Sequence, residues 1–206
     1  MSIMTEQEAK TILDKVCKMS KADECTAQLT GSVDGNVRYA LNSVSTSGIV
    51  NNTDLAVQVA FGKRVGTATI NEFDDASLEK VVRRAEELAK LAPENPEFVP
   101  AIEKQAYKPS ETYSGKTAAI SPEYRAGVAA DCIEPCRKDK LVAAGFFTDS
   151  ARFTAIANTK GNFGYQKSTN VGFTCTVRSD DARVTGWVAR NVGCVSELEA
   201  KNGMKT

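Results

Sequence analysis

Six cysteines in a chain with no histidine define the chemistry open to this polypeptide. Cys132 and Cys136 stand four apart on one predicted helix, a spacing that supplies half of a tetrahedral zinc site. Two further ligands are needed, and Cys17, Cys25, Cys175 and Cys194 are scattered over other segments, so small buried hydrophobes are the better reading. A cysteine nucleophile without imidazole would have to draw its low pKa from a Lys, an Arg or a helix terminus alone. Ser-His-Asp and Cys-His pairs, a His-Glu-x-x-His zinc helix and imidazole acid–base work near neutral pH are all excluded. Asp74-Asp75 and Asp180-Asp181 resemble cation ligands, but neither pair has calcium-loop spacing, and short carboxylates serve as well in helix caps and turns. Gly161-Asn162-Phe163-Gly164 lacks the Gly-Lys-Ser/Thr ending of a phosphate loop and reads as a bulged hairpin. No catalytic, cofactor-binding or metal-ligating residue is therefore assigned. What remains is binding. Phe163 and Tyr165 flank Gly164 in a turn region, where exposed aromatics suit a partner surface. Gln58 lies in an alternating strand which, at a sheet edge, would accept an extended peptide as an added strand.

The charge balance narrows the partners. Lys plus Arg and Asp plus Glu both number 26, giving no net charge, and the basic pairs Lys63-Arg64, Arg83-Arg84 and Arg137-Lys138 are short and scattered. A nucleic-acid binder shows a basic excess or face, so nucleic acid is not an expected partner. No apolar run is long enough to span a bilayer, and the first residues lack the apolar stretch of a signal peptide. The expectation is a cytoplasmic chain with reduced thiols and no membrane partner.

The elements that must position these residues come in two loosely matching sets. Thr5, with Glu8 three residues on, forms a capping box ahead of Ala9, Ile12, Leu13, Val16 and Met19 at helical spacing. Cys25 to Thr30 alternates, Val33-Asp34-Gly35-Asn36 has hairpin-turn chemistry, and Val37 to Leu41 is expected to return. Leu55, Val57, Val59 and Phe61 alternate with Ala56, Gln58 and Ala60; Gly62-Lys63-Arg64 turns; and Val65 to Ile70 pairs back. Asp74-Asp75 opens a second helix with its stripe at Leu78, Val81, Val82, Ala85, Leu88 and Ala89, Glu86 falling toward water. Pro93, Pro96, Pro100 and Pro109 mark an extended strap or linker. Ser121-Pro122 then starts the set again, with Leu141 to Thr148 and Phe153 to Ala157 as strands, a turn at Asn158 to Asn162, a strand at Val171 to Val177, and a return at Arg183 to Arg190. Asn42-Ser43 answers to Asn158-Thr159, Val57-Gln58-Val59 to Phe173-Thr174-Cys175, and Gly66-Thr67-Ala68 to Gly186-Trp187-Val188. The expected fold is α+β, with mixed or antiparallel sheets, packed helices and a tandem duplication: a first unit over 1–92, a linker over 93–120, a second unit over 121–206. The last helix, expected from Ser196 to Met204, is short for a packing helix, so the chain reads as the front of a longer protein.

Gly62-Lys63-Arg64-Val65-Gly66 followed by Asp74-Asp75-Ala76-Ser77-Leu78 and a helix ending in Ala89-Lys90 resembles the N-terminal domain of the TldD/PmbA family, also called modulator of DNA gyrase. Ala157-Asn158-Thr159-Lys160-Gly161 with Tyr165 and the following strand is similar to that family's Asn-Ser-x-Gly segment. The resemblance covers nearly the whole chain. It implies a scaffold domain of a zinc metallopeptidase that cuts unfolded peptide in a cavity between two related subunits. It also implies zinc on a His-Glu-x-x-x-His helix in the catalytic subunit, downstream of this region. With no histidine here, no zinc ligand or catalytic residue transfers to any position, and no catalysis is expected from this chain alone. Partners implied are a related subunit, as homo- or heterodimer, and extended peptide. A stand-alone peptide- or partner-binding module is the alternative; a DNA-associated regulator rests on the family's older name only.

Overall fold

The computed structural model describes residues 2–200. Its order is α1 (Glu6–Met19), β1 (Glu24–Ala40), β2 (Ser43–Phe61), β3 (Arg64–Ile70), α2 (Asp75–Leu91), α3 (Gly115–Ala118), α4 (Pro122–Lys138), β4 (Leu141–Asn158), β5 (Phe163–Ser179), β6 (Thr185–Val192) and α5 (Val195–Ala200). The expected reach of the last helix to Met204 lies outside the described residues. The strands form one antiparallel sheet in the order β3-β2-β1-β4-β5-β6. This order is a palindrome. Each half contributes helix, three strands and helix, and the halves join where β1 pairs with β4 from Thr26 opposite Asn158 to Tyr39 opposite Gly145.

Alternation decides which face is covered. Cys25, Ala27, Leu29, Val37 and Tyr39 of β1 share a face with Phe147, Phe153, Ala155 and Ala157 of β4, and all are buried beneath helices. The opposite face presents Gln28, Gln58, Phe146, Arg152 and Thr154 to solvent. Two apolar cores sit side by side under the helical layer. One gathers Leu13, Val16, Leu29, Leu55, Val57, Leu78 and Phe153; the other gathers Val37, Tyr39, Val128, Ile133, Phe147 and Phe173. α1 begins at Thr5 with the expected capping box, and α4 at Ser121 with Pro122 just inside.

Two expected breaks are not breaks. Asp34-Gly35 does not turn: β1 runs unbroken through it, and the hairpin closes at Leu41 and Asn42, both with positive φ, near 51° and 58°. Likewise β4 is one strand through Asp149 and Ser150. Ladder pairing on both sides carries the strands through, and the polar residues there serve a buried ion pair. Arg125 of α4 donates to Asp149 through Nε at 2.6 Å and Nη2 at 2.8 Å, both side chains almost wholly buried, and Nη2 also reaches Ile120 O at 3.3 Å. A Cβ on Gly35 would collide with that guanidinium. Gly35 and Asp149 are thus the opening and the counter-charge for one arginine lodged between the two cores.

Glu86 also departs from expectation. It is 4% exposed, accepts Lys21 N–H at 2.6 Å and pairs with Arg83 at 2.7 Å. Arg83 in turn donates to Met19 O, tying α2 to the end of α1. The proline-bearing strap between α2 and α3 runs without a helix or strand until Gly115, held by backbone bonds from Asn95 N to Lys63 O and from Thr169 N to Thr112 O.

Candidate functional site

The two Asn-led turns cross-brace the halves. Asn42 Nδ2 donates to Leu141 O at 2.7 Å while its Oδ1 accepts from Ala143 N at 2.7 Å, so the first hairpin clasps the start of β4. Reciprocally, Thr159 N donates to Cys25 O at 2.9 Å and Thr159 Oγ1 accepts from Cys25 N at 3.1 Å, so the second hairpin clasps the start of β1. Asn158, itself buried, holds the strap instead: its Nδ2 donates to Ile102 O, and its Oδ1 accepts from Lys160 N and Asn162 N. These residues build the frame on which the second hairpin and the strap meet.

There a cleft of about 710 Å³ opens, walled by the segment before α1, by Tyr107 and Tyr113 of the strap, and by Tyr165 to Lys167 of β5. Tyr165 stacks on Phe153 with ring centroids 6.0 Å apart and donates its hydroxyl to Met4 O at 2.8 Å. Burial, with Glu6 nearby, pushes the Tyr165 phenol up, so it stays a neutral donor. Tyr107 lies against Gly164, where a Cβ would crowd its ring, and accepts from Asn162 Nδ2 at 2.9 Å. Lys167 Nζ sits 4.2 Å from the Tyr113 ring centroid. The set offers aromatic faces and a cation. It holds no nucleophile–base pair.

Of the three sequence-level candidates, Tyr165 lines this cleft and Phe163 stands next to it, half-buried beneath Lys10 at 5.1 Å. Gln58 is elsewhere. It points from the open face of β2, in a stretch paired on one side by β1 and on the other by β3, so it is not on an edge. Tyr107, Tyr113 and Lys167 escaped the sequence reading; two tyrosines in the polar later part of the proline-bearing strap were the available signal.

Four of the six cysteines form hydrogen-bonded pairs, Cys17 with Cys25 and Cys132 with Cys175, and Cys194 Sγ lies 3.2 Å from Ser114 Oγ. The bond to Cys17, then burial, pushes the Cys25 thiol up; the bond to Cys175, then burial, does the same to Cys132. The same bonds lower the other member of each pair, Cys17 and Cys175, the latter to about 6, so each pair joins a protonated donor to a thiol with thiolate character. Among the described residues no cluster of three or more Cys, Asp or Glu could hold a metal ion, and no helix is long and apolar enough to cross a membrane.

A family model described as PmbA/TldA metallopeptidase domain 1 matches residues 28–89, and one described as the PmbA/TldA metallopeptidase central domain matches residues 94–202. The chain belongs to the PmbA/TldA, or TldD/PmbA, family. The fold agrees. TldE from Thermococcus kodakarensis superposes with a TM-score of 0.80 at 16% identity, over 93% of this chain and 44% of that one. A protein described as a modulator of DNA gyrase from Thermotoga maritima gives 0.79 at 16% identity, over 92% and 44%. Another so described, from Bacteroides thetaiotaomicron, gives 0.74 at 15% identity, over 93% and 46%. This PmbA/TldA chain therefore spans less than half the length of these solved relatives. No curated protein matches it.

Proposed function

We propose that this chain is a scaffold of a PmbA/TldA-type metallopeptidase, forming cavity wall and subunit interface for the cleavage of unfolded peptides. The observation that carries the reading is the pairing of two family domains, in order along one continuous sheet, in a sequence without histidine. The zinc that a metallopeptidase implies does not fit the residues present: the chain has no histidine, and its described cysteines and carboxylates do not cluster. In this reading the metal belongs to a catalytic part outside these residues, and the chain works with a related subunit. Its own contribution is shape, since the helix-free face of the sheet and the cleft beside β5 are both open surfaces.

Metal analysis and peptide-cleavage assays on the purified chain test this. The expected result is no stoichiometric zinc and no cleavage. Tight zinc together with chelator-sensitive cleavage by this polypeptide overturns it. A stand-alone peptide-binding module is the second reading, supported by the aromatic cleft. Under it the chain alone binds extended peptide at that cleft, and Tyr165→Ala together with Tyr107→Ala weakens the binding.

A further inference from the structure

The two halves treat equivalent strand edges differently. In the second half, β6 covers the outer edge of β5 only from Val171 to Arg178. The strap takes part of the remainder: Thr169 N donates to Thr112 O at 2.9 Å, Thr112 Oγ1 to Lys167 O at 2.9 Å, and Ser114 N to Thr169 Oγ1 at 3.0 Å. In the first half, β3 covers β2 only from Leu55 to Phe61. Over Ser43–Val50 no described strand lies on the outer side, and these residues are exposed. Val44 is 48%, Ile49 48% and Val50 59% exposed.

Natural sheets guard such an edge with Lys, Pro or an inward charge. From Ser43 to Thr53 this strand has no Lys, Arg, Asp, Glu or Pro. Its one irregularity is a register shift on the β1 side at Arg38/Tyr39, away from the outer edge. An uncharged strand can lie antiparallel against its own copy with no like charges opposed, and a twofold axis makes such a contact self-complementary. The molecule already contains this kind of joint: its two halves meet by antiparallel pairing of the equivalent strands β1 and β4.

We infer that the outer edge of β2 is an interaction surface for a second copy of this chain, joined by antiparallel β2–β2 pairing centred on Ile49. The pairing puts Ile49 opposite its counterpart and Gly48 opposite Val50, covers the exposed Ile49 and Val50, and extends the sheet across the twofold axis. It rests on the subunit pairing in the reading above and is independent of where zinc is held.

Sedimentation velocity over a range of concentrations tests it with three forms of the chain. The unmodified chain is expected to dimerise. Ile49→Lys and Ile49→Glu should each weaken dimerisation at least about tenfold by placing like charges face to face. Mixing the two in equal amounts should restore it, with circular dichroism and melting temperature unchanged, because Ile49 packs against no core. A chain monomeric throughout, a dimer indifferent to both charges, or a mixture that does not recover overturns the inference. So does a monomer that captures an unrelated extended peptide on this edge. An indifferent dimer removes only the β2 contact and leaves subunit pairing through another surface intact.

Discussion

At the scale of single residues, the most consequential feature is one arginine under the middle of the sheet. Arg125 and Asp149 are both nearly inaccessible and bond in bidentate fashion. Removing one partner strands the other charge, so Arg125→Met or Asp149→Ala alone should cost about 3–5 kcal/mol in urea unfolding. The double variant should recover much of that loss, because two apolar side chains leave no orphan charge. Glu86 makes a pH-dependent counterpart. Burial disfavours its charge, but the Lys21 N–H and the Arg83 guanidinium outweigh that and hold its carboxyl below the ordinary value. A carboxyl depressed in the folded state stabilises above its unfolded pKa, about 4.3, and loses that contribution as pH falls through the folded value. Glu86→Gln should therefore cost about 1–3 kcal/mol at pH 7. The urea midpoints of variant and parent should converge in acid. Neither role was legible in the sequence, since a Glu on the charged side of a helical stripe and an Asp beside a Ser give no sign of their long-range partners.

Among elements, the helices and outer hairpins followed from local pattern, while the long central strands did not. Caps at Thr5, Asp74 and Ser121 and the stripes behind them are local signals, and the helices start there. β1 and β4 carry polar interruptions whose cause is tertiary, and turn chemistry at Asp34-Gly35 was outweighed by the pairing of both flanks with β2 and β4. The true hairpin put a leucine at positive φ, which no turn propensity anticipates. Of the binding surface, Phe163 and Tyr165 were found by position beside Gly164, whereas the strap residues facing them could be located only by the fold. Gly66 tests how tightly α2 lies on β3. A Cβ there would run into backbone atoms of Ala85 and Ala89, which cannot rotate away. Gly66→Ala should cost about 1–3 kcal/mol or more, with the largest loss of hydrogen-exchange protection in α2.

For the whole molecule, the duplication was legible and its joint was not. The sequence divided into a unit over 1–92 and a unit over 121–206, yet the first core requires Phe153, Ala155 and Ala157 from β4, and the second requires Val37 and Tyr39 from β1. Residues 1–92 or 121–206 expressed alone should therefore fail to give a monomeric, cooperatively melting protein, as circular dichroism and gel filtration would show. The lack of imidazole also sets a global property: no side chain of ordinary pKa titrates between the carboxylates and the thiols. Any slope of stability between about pH 6 and about pH 8 should therefore come from thiols. The hydrogen bond from Cys132 lowers Cys175 to about 6, so stability should rise with pH over that span, and Cys175→Ser should flatten the rise in urea unfolding. The central joint has a further consequence in time. β1 is made early, but its neighbour β4 lies more than a hundred residues downstream. On the ribosome, residues 24–40 must wait through synthesis of the strap and α4 with one flank open, and such non-local closure makes folding slow. The nascent chain is thus most vulnerable to misassociation just before its middle is sealed.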